Sequence, residues 1–449
     1  MTPRVLFTTV YRNSSEPYDY IGANTRSWFR FYWPRIQSFG LRFLKQNIPE
    51  LEILEFPTWE EYQKKLEEGW DVVGLSFYLS ETHEALEMAE AARAAGAGEV
   101  WAGNYGALTT AVQDRFDRIF VGYSERELAP YFGRTIKDII HPPLIEYLNT
   151  PFNIKLNIYG VMFTTRGCPV GCKFCQTPVF CNKPNIISLE SIERVLAYYK
   201  EQGINVVLIE DENFGCNRKH ADQVVELLDK YEMVWGCMAR ADYLRKKIND
   251  WADMRKKNGR KVAGFGGAAI GIENLHQERL DDMKKKEGTE DILETLRMLQ
   301  ERGLGTVGYY MIGFEEDSKE SLREDIKKLA ALKLDITQIC VITPLPQTPM
   351  WTEIEEKFGI WDHDYHHYDG KHMVWNHPQI RPEEFTKILD WSLRQVYPWS
   401  TPLRTSGRVW SNAYRYGGWA GVKEVFAYIS RANKFDWNAG PRLLKVSEN

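Results

Sequence analysis

The first 150 residues alternate short apolar, β-branched runs with stretches whose apolar positions recur every three to four residues. The runs are Arg4–Val10, Leu51–Phe56, Asp71–Tyr78, Glu99–Gly103 and Arg118–Gly122. Near-continuous apolar runs separated by amphipathic segments are expected of parallel strands covered by helices on both faces. They predict an α/β fold opening with a doubly wound, Rossmann-like domain over residues 1–140. Ligands of such sheets sit beyond the strands' carboxyl ends. Those ends carry Ser76, Ser80 and Thr82, then Gly103, Asn104 and Gly106, then Gly122 and Tyr123. Small polar residues there suit a polar ligand, although a glycine after a strand also simply turns the chain.

Residues 141–158, with His141-Pro142-Pro143 and Pro151, lack a sustained helical period and read as a linker. A second alternating series follows at Tyr159–Thr165, Val206–Glu210, Val234–Ala239, Ala263–Ile272, Thr306–Phe314 and Ile336–Thr343. Each gap holds a helical pattern, such as Glu190–Gln202, Lys219–Tyr231 or Glu290–Arg302. Six βα units predict a partial (β/α)6 barrel of the TIM type over 159–350, with its chemistry in the loops after the strands.

From residue 351 the composition shifts, with 8 of the 15 tryptophans and 5 of the 9 histidines in this part. A mainly helical, aromatic-rich region is expected over 351–449, with helices at Pro382–Val396 and Tyr414–Arg431 separated by a turn region, Pro398–Gly407. The five histidines between His363 and His377 include no pair spaced four apart on a well-signalled helix. They read as a packing or substrate-facing loop in preference to a second metal site.

Composition narrows the function. A net charge of −5 without a dense basic stripe, beyond short runs such as Lys284-Lys285-Lys286, argues against nucleic acid as partner. The N-terminus has no signal-peptide pattern and no stretch reaches the ~18 apolar residues of a spanning helix, so no membrane is expected and the cytoplasm is. Clustered cysteines in a reducing compartment bind metal or do redox chemistry more often than they form disulfides. Three of the seven cysteines stand together in Cys168-Pro169-Val170-Gly171-Cys172-Lys173-Phe174-Cys175, after the first barrel run. Three thiolates in this CxxxCxxC spacing suit three irons of a [4Fe–4S] cluster and leave the fourth iron open to substrate. The competing readings are zinc, or Cys181 as a fourth ligand.

This motif, with Phe174 before its last cysteine and a six-unit barrel around it, resembles the radical S-adenosylmethionine (SAM) superfamily over about residues 155–350. The resemblance implies a cluster held by Cys168, Cys172 and Cys175, whose open iron chelates SAM and whose electron cleaves it to a 5′-deoxyadenosyl radical. Further segments resemble the family's SAM contacts. They are Glu210-Asp211-Glu212 near the SAM amino group, Arg240 for its carboxylate, Gly271-Ile272-Glu273 near the ribose, and Tyr310 with Gly313 at the adenine. The implied SAM residues are Phe174, Glu212, Arg240, Glu273, Tyr310 and Gly313, with Arg240 and Tyr310 joining the cysteines in catalysis.

A doubly wound domain ahead of the barrel resembles the cobalamin-binding domain of the cobalamin-dependent subclass. Carried over are Ser76, Leu79, Ser80, Gly103, Asn104, Gly106, Gly122 and Tyr123. No Asp-x-His-x-x-Gly motif follows the first strand, which implies base-off cobalamin without a histidine ligand, the loop Tyr11–Tyr20 being where a residue facing cobalt would lie. A domain that keeps the fold and binds no cobalamin is the competing reading. Together the cofactors imply methyl transfer to an unactivated carbon, with a ferredoxin or flavodoxin as electron donor. In the related subclass a Tyr-Asp and His-containing segment like that at 361–378 closes the barrel toward the substrate, and an aromatic C-terminal cap able to bind an extended segment favours a peptide or protein side chain, for example a glutamine of methyl-coenzyme M reductase. A lipid or natural-product small molecule, methylated, cyclised or rearranged, is the alternative.

Overall fold

The computed structural model describes residues 3–12, 37–149, 154–257, 263–435 and 443–444. The N-terminal part runs β1 (Val5–Thr9), α1 (Phe39–Asn47), β2 (Glu52–Leu54), α2 (Trp59–Leu66), β3 (Val72–Ser76), α3 (Thr82–Ala94), β4 (Glu99–Gly103), β5 (Arg118–Ile119) and α4 (Glu125–Leu128). Its five strands are all parallel in the order β2-β1-β3-β4-β5. Period-2 alternation divides the sheet's side chains between two cores. Leu6, Val73, Leu75 and Val100 pack with Tyr62, Ala85 and Met88. Val5, Phe7, Val72 and Trp101 pack with Leu41 and Leu44 on the other face. The strand order reverses between β1 and β3, which places the ligand crevice of such a fold at Thr9 and Ser76.

The second sheet holds β6 (Leu144–Asn149), β7 (Lys155–Met162), β10 (Val206–Ile209), β11 (Val234–Met238), β12 (Gly264–Glu273), β13 (Gly305–Ile312) and β14 (Ile336–Val341), in the order β14-β13-β12-β11-β10-β7-β6. Between β7 and β10 lie β8 (Thr165–Arg166), α5 (Thr177–Phe180), β9 (Asn185–Ile186) and α6 (Leu189–Glu201). The remaining crossovers are α7 (Arg218–Lys230), α8 (Ala241–Lys257), α9 (Gln277–Asp282), α10 (Thr289–Glu301) and α11 (Lys319–Ala331). Six parallel strands in sequence order make the expected open barrel. Alternate residues point outward to the helices and inward to the lumen: on β13, Thr306, Gly308, Tyr310 and Ile312 are buried while Val307, Tyr309 and Met311 are half-buried.

Two expectations fail here. The expected linker 141–158 is largely strand among the described residues: β6 pairs antiparallel with β7 along the barrel's edge, and Pro143 directly precedes that strand instead of interrupting it. The turn region Pro398–Gly407 is helical from Ser400 onward. After α12 (Pro349–Lys357) and α13 (Pro382–Val396), which packs on α11 and β14, comes α14 (Ser400–Lys434), bent at Gly418 (φ +56°, ψ −149°).

The position of α14 divides the aromatic C-terminal region between the two ends of the barrel. Along its length it touches the residues that precede or begin barrel strands. Arg408 pairs with Asp335, and Arg404 donates to the Leu334 carbonyl at 2.8 Å. Asn412 donates to the Gly303 carbonyl (2.7 Å), Arg431 to that of Gly203 (2.9 Å), and Asn433 accepts from Lys155 N–H (3.0 Å). The helix therefore floors the barrel at the strands' amino ends, opposite the cysteine loop. The carboxyl ends are met instead by the segment between α12 and α13: Val341 N–H donates to the Gly370 carbonyl (2.7 Å), and Met373 fills the Cβ direction of Gly313.

Candidate active site

The cysteine loop follows β7 and is pinned from below by Asp211. This fully buried carboxylate accepts Thr164 N–H (2.6 Å) and Oγ1–H (2.5 Å), and Thr165 N–H (3.0 Å) and Oγ1–H (2.7 Å). Burial pushes its carboxyl up to about 7 against those four donors. The adjacent β8 pairs with β9, so a short ribbon brackets the loop. Gly167 takes φ +99°, and a Cβ there would stand 2.8 Å from the Cys181 carbonyl and sulfur. Cys168 N–H donates to that carbonyl (3.1 Å), and Asn213 Nδ2 reaches the Cys168 sulfur at 3.9 Å.

Burial raises the thiols of Cys168, Cys172 and Cys175, Cys172 to about 11. A metal that demands thiolates repays that cost. Among the described residues, the three sulfurs do not all lie within 4.8 Å of one another. One tetrahedral zinc, with Zn–S of about 2.3 Å, needs sulfurs about 3.8 Å apart, whereas a cubane spreads its ligands over separate irons. The three cysteines thus fit a [4Fe–4S] cluster better than a single ion. Cys181 is spent on its own loop: its sulfur donates to the Lys183 carbonyl (3.2 Å) and accepts from Asn185 (3.3 Å). Phe174 packs half-buried on the barrel core.

The expected SAM residues separate by partner. Glu212 accepts Tyr123 O–H and Gly167 N–H (2.9 Å), so it joins the N-terminal domain to the cysteine loop. Arg240 donates to the Lys285 carbonyl (2.7 Å) and the Lys286 carbonyl and pairs with Asp242 (3.2 Å) and Glu287 (3.7 Å). Glu273, at φ +58°, meets Lys285 Nζ at 3.0 Å, and that ammonium also lies 3.4 Å from Glu287. A Cβ on Gly271 would fall 2.1 Å from the Glu273 carboxylate and 2.6 Å from Lys285 Nζ, so only glycine admits this pair above β12. Gly313 N–H donates to Asp317 (2.9 Å), and its Cβ direction is filled by Met373 at 2.7 Å.

Tyr310 does not face the lumen. It is 1% exposed and points to the outer layer, near Asp325, Asp317 and Arg279. Its neighbour Tyr309 takes the inward position, where burial and the Glu210 and Glu273 carboxyls raise its phenol. Glu210 is a second residue the motif reading passed over. Burial alone raises its carboxyl, and among the described residues nothing hydrogen-bonds or pairs with it. Lys285 is a third, electrostatically coupled to Cys172. In the sequence it is one of three consecutive lysines, a pattern that reads as solvated surface.

The N-terminal domain turns its strand ends toward this loop. Tyr105 stacks on Phe180 (centroids 4.4 Å) and its hydroxyl meets Thr177 Oγ1 at 3.3 Å. Gln347 donates to the Leu108 carbonyl (2.7 Å). Arg166, directly before the cysteine loop, lies 4.3 Å over both Phe43 and Tyr123 and pairs with Glu125 at 2.6 Å, with both side chains 3% exposed. Of the residues carried over for cobalamin, Ser76, Ser80, Gly103, Asn104, Gly122 and Tyr123 are half-buried at this junction. Gly103 has open space in its Cβ direction out to 3.9 Å. That accessible polar set, spread over the carboxyl ends of β3, β4 and β5 with Ser76 at the switch point, fits a polar cofactor. Two are packed away from it: Leu79 lies in the barrel core, and Gly106 is closed off by the Phe77 ring. The Gly122 Cβ direction meets the Phe180 carbonyl at 3.0 Å, a close approach to the barrel. Of the loop Tyr11–Tyr20, Tyr11 donates to Glu87 (2.7 Å), while residues 13–20 lie outside the described residues.

Residues 162–329 match the radical SAM superfamily, and the chain carries a radical SAM domain at the barrel built above. The structure is similar to that of TsrM, a radical SAM methyltransferase from Kitasatospora setae solved with cobalamin and a [4Fe–4S] cluster. The TM-score is 0.64 at 16% identity, covering 97% of this chain and 100% of that one. It is also similar to OxsB, a cobalamin-dependent SAM radical enzyme, with a TM-score of 0.60 at 14% identity over 96% of this chain and 71% of that one. At these identities the shared property is the fold. Among curated proteins, the bacteriochlorophyllide d C-12(1)-methyltransferase of Chlorobaculum tepidum is 24% identical over 59% of this chain and 57% of its own length. The anaerobic magnesium-protoporphyrin IX monomethyl ester cyclase of Cereibacter sphaeroides is 23% identical over 49% and 36%. The chain thus spans about half the length, or less, of the curated relatives it matches.

Proposed function

We propose that the protein is a cobalamin-dependent radical SAM methyltransferase that places a methyl group on an unactivated carbon. The observation that carries this reading is the facing of two sites: three cysteines at the barrel's strand ends, met by the strand ends of a doubly wound domain through Tyr123–Glu212 and Tyr105–Phe180. Bound there, a [4Fe–4S] cluster, SAM and cobalamin supply one-electron reductive cleavage of SAM and a transferable methyl group.

The chain's own residues do the rest. Cys168, Cys172 and Cys175 hold the cluster, and Asp211 fixes the loop that carries them. Glu210, the one carboxyl of its triplet without a partner, is the group available to a SAM ammonium. Arg240, spent on the 285–287 segment, positions Lys285 and Glu273. Tyr309, with Gln338 and Cys340 from β14, lines the lumen where the acceptor carbon would lie. The floor made by α14 and the N-terminal domain above leave the acceptor to enter at the junction between the two sheets.

That route sets the substrate reading. An extended peptide would not lie on α14, which is at the strands' amino ends, but could meet the segment around Tyr365 at the junction. A single side chain entering the lumen, such as a glutamine of methyl-coenzyme M reductase, remains compatible. A small molecule is the reading supported by the relatives, which are named for tetrapyrroles, and by a TsrM structure solved with tryptophan. The test is anaerobic turnover with trideuteromethyl-SAM, a ferredoxin or flavodoxin reductant, and candidate acceptors of both kinds. A methyltransferase gives a product heavier by a CD3 group; a cyclase or rearranging enzyme gives a product without it.

A further inference from the structure

We propose that His83, Asp364 and His366 form a site for a first-row divalent transition-metal ion of the zinc class, which clasps the segment after the barrel to the N-terminal domain. His83 is the second residue of α3, whereas Asp364 and His366 belong to the 3-10 turn at Tyr365–His367, some 280 positions later. Only the fold brings them together, which is why the histidine spacing of 363–377 gave no metal site when read alone.

Two of the three donor separations are those of a tetrahedral site. One ligand atom from each residue lies within 4.8 Å of the others. The closer separations are 3.3 Å from His83 Nε2 to Asp364 Oδ1 and 3.1 Å from His366 Nδ1 to the same oxygen. Metal–ligand bonds of about 2.0–2.1 Å at tetrahedral angles put donors roughly 3.3 Å apart. The two imidazoles lie side by side, with centroids at 4.7 Å and planes 33° apart.

The hydrogen-bond inventory adds an independent argument. A neutral imidazole has one N–H, and His366 has a carboxylate oxygen at each ring nitrogen: Glu84 Oε1 at 2.9 Å from Nε2 and Asp364 Oδ1 at 3.1 Å from Nδ1. If Nε2–H donates to Glu84, the Nδ1 lone pair faces a second acceptor, a repulsive contact that an electropositive centre between them removes. A carboxylate behind the distal nitrogen is the usual way a metal-bound histidine is oriented, and Glu84 supplies it from the residue next to His83. The second Glu84 oxygen is buried with no hydrogen-bond partner in the structure. Asp364 is itself fixed, donating its N–H to Asp362 (2.9 Å) and accepting His366 N–H (3.0 Å). Three protein ligands at half-exposed positions leave a fourth place for water, so the site is reachable from solvent.

The same segment is tied down by Thr109, which donates to the Tyr365 hydroxyl at 2.9 Å. A metal at His83 would add to the Thr109–Tyr365 and Glu84–His366 ties between the two parts of the chain, beside the junction where the acceptor enters.

The test is zinc binding to the cluster-loaded full chain, by calorimetry and by metal analysis after gel filtration, with X-ray absorption at the zinc edge. The expected result is one Zn2+ per chain beyond the cluster iron, in a shell of N and O atoms only, including two imidazoles. His83→Ala and His366→Ala should each lose it with iron content unchanged, Glu84→Gln should weaken it roughly ten- to hundredfold, and His363→Ala should leave it intact. Equal binding by the wild type and both histidine variants, no stoichiometric zinc on the wild type, or a sulfur-containing shell overturns the proposal. In the second case a proton, and no metal, joins these groups.

Discussion

His141 illustrates how burial decides charge at the scale of one residue. It is fully buried, its Nε2 accepts Phe163 N–H (2.8 Å), and desolvation lowers it to about 3. Since a free histidine titrates near 6.5, the unfolded chain binds the extra proton first as pH falls. The contribution is complete above about pH 6.5 and is lost progressively toward pH 3, by about 1.4 kcal/mol per unit. Urea titrations at pH 7 and 5 should show wild-type stability falling, and His141→Gln should flatten that slope; an unchanged slope contradicts the assignment. Tyr310 shows where residue-level reading goes astray. The family-like segment locates the right strand, but the inward face is a matter of period two, and a slip of one residue exchanges Tyr310 for Tyr309. Glu210 tests the lumen from the other side. If its carboxyl meets the SAM ammonium, Glu210→Gln should weaken SAM binding to cluster-loaded protein about tenfold, roughly 1.4 kcal/mol. Unchanged affinity would return that role to Glu212.

At the scale of elements, apolar runs located all eleven expected strands to within a few residues, because each buried parallel strand must be nearly continuously apolar. The two misread segments lack that constraint. β6 is an edge strand preceded by prolines, which resemble loop punctuation. The start of α14 carries Pro402 and Gly407, and Trp399 and Trp419 are more than 70% exposed, so no clean apolar stripe marks the helix. Its bend is a backbone requirement: Gly418 sits at φ +56°, ψ −149°, a region essentially reserved for glycine, with open space in its Cβ direction. Gly418→Ala should therefore destabilise by about 1–3 kcal/mol through backbone strain alone, read as a lowered melting temperature with cluster content retained. No change in melting would mean that the bend is not held in solution.

The whole molecule depends on contacts that sequence cannot pair, because they join residues from different sheets. The Arg166–Glu125 pair is buried on both sides, and it abuts the cysteine loop. Removing one partner leaves a buried charge uncompensated, so Glu125→Gln should cost about 3–5 kcal/mol, whereas the double change Arg166→Met with Glu125→Leu should recover most of it. Denaturant midpoints of the three proteins decide this; equal losses in single and double variants would show that no pair operates. The central claim is that this junction houses radical SAM methyl transfer, and quantifying SAM products under anaerobic reducing conditions tests it most directly. Cluster- and cobalamin-loaded protein turning over its acceptor should form 5′-deoxyadenosine and S-adenosylhomocysteine in equal amounts. Cys172→Ala should form no 5′-deoxyadenosine while still binding cobalamin. Undiminished 5′-deoxyadenosine from Cys172→Ala, or none from cluster-loaded wild type, would contradict the account.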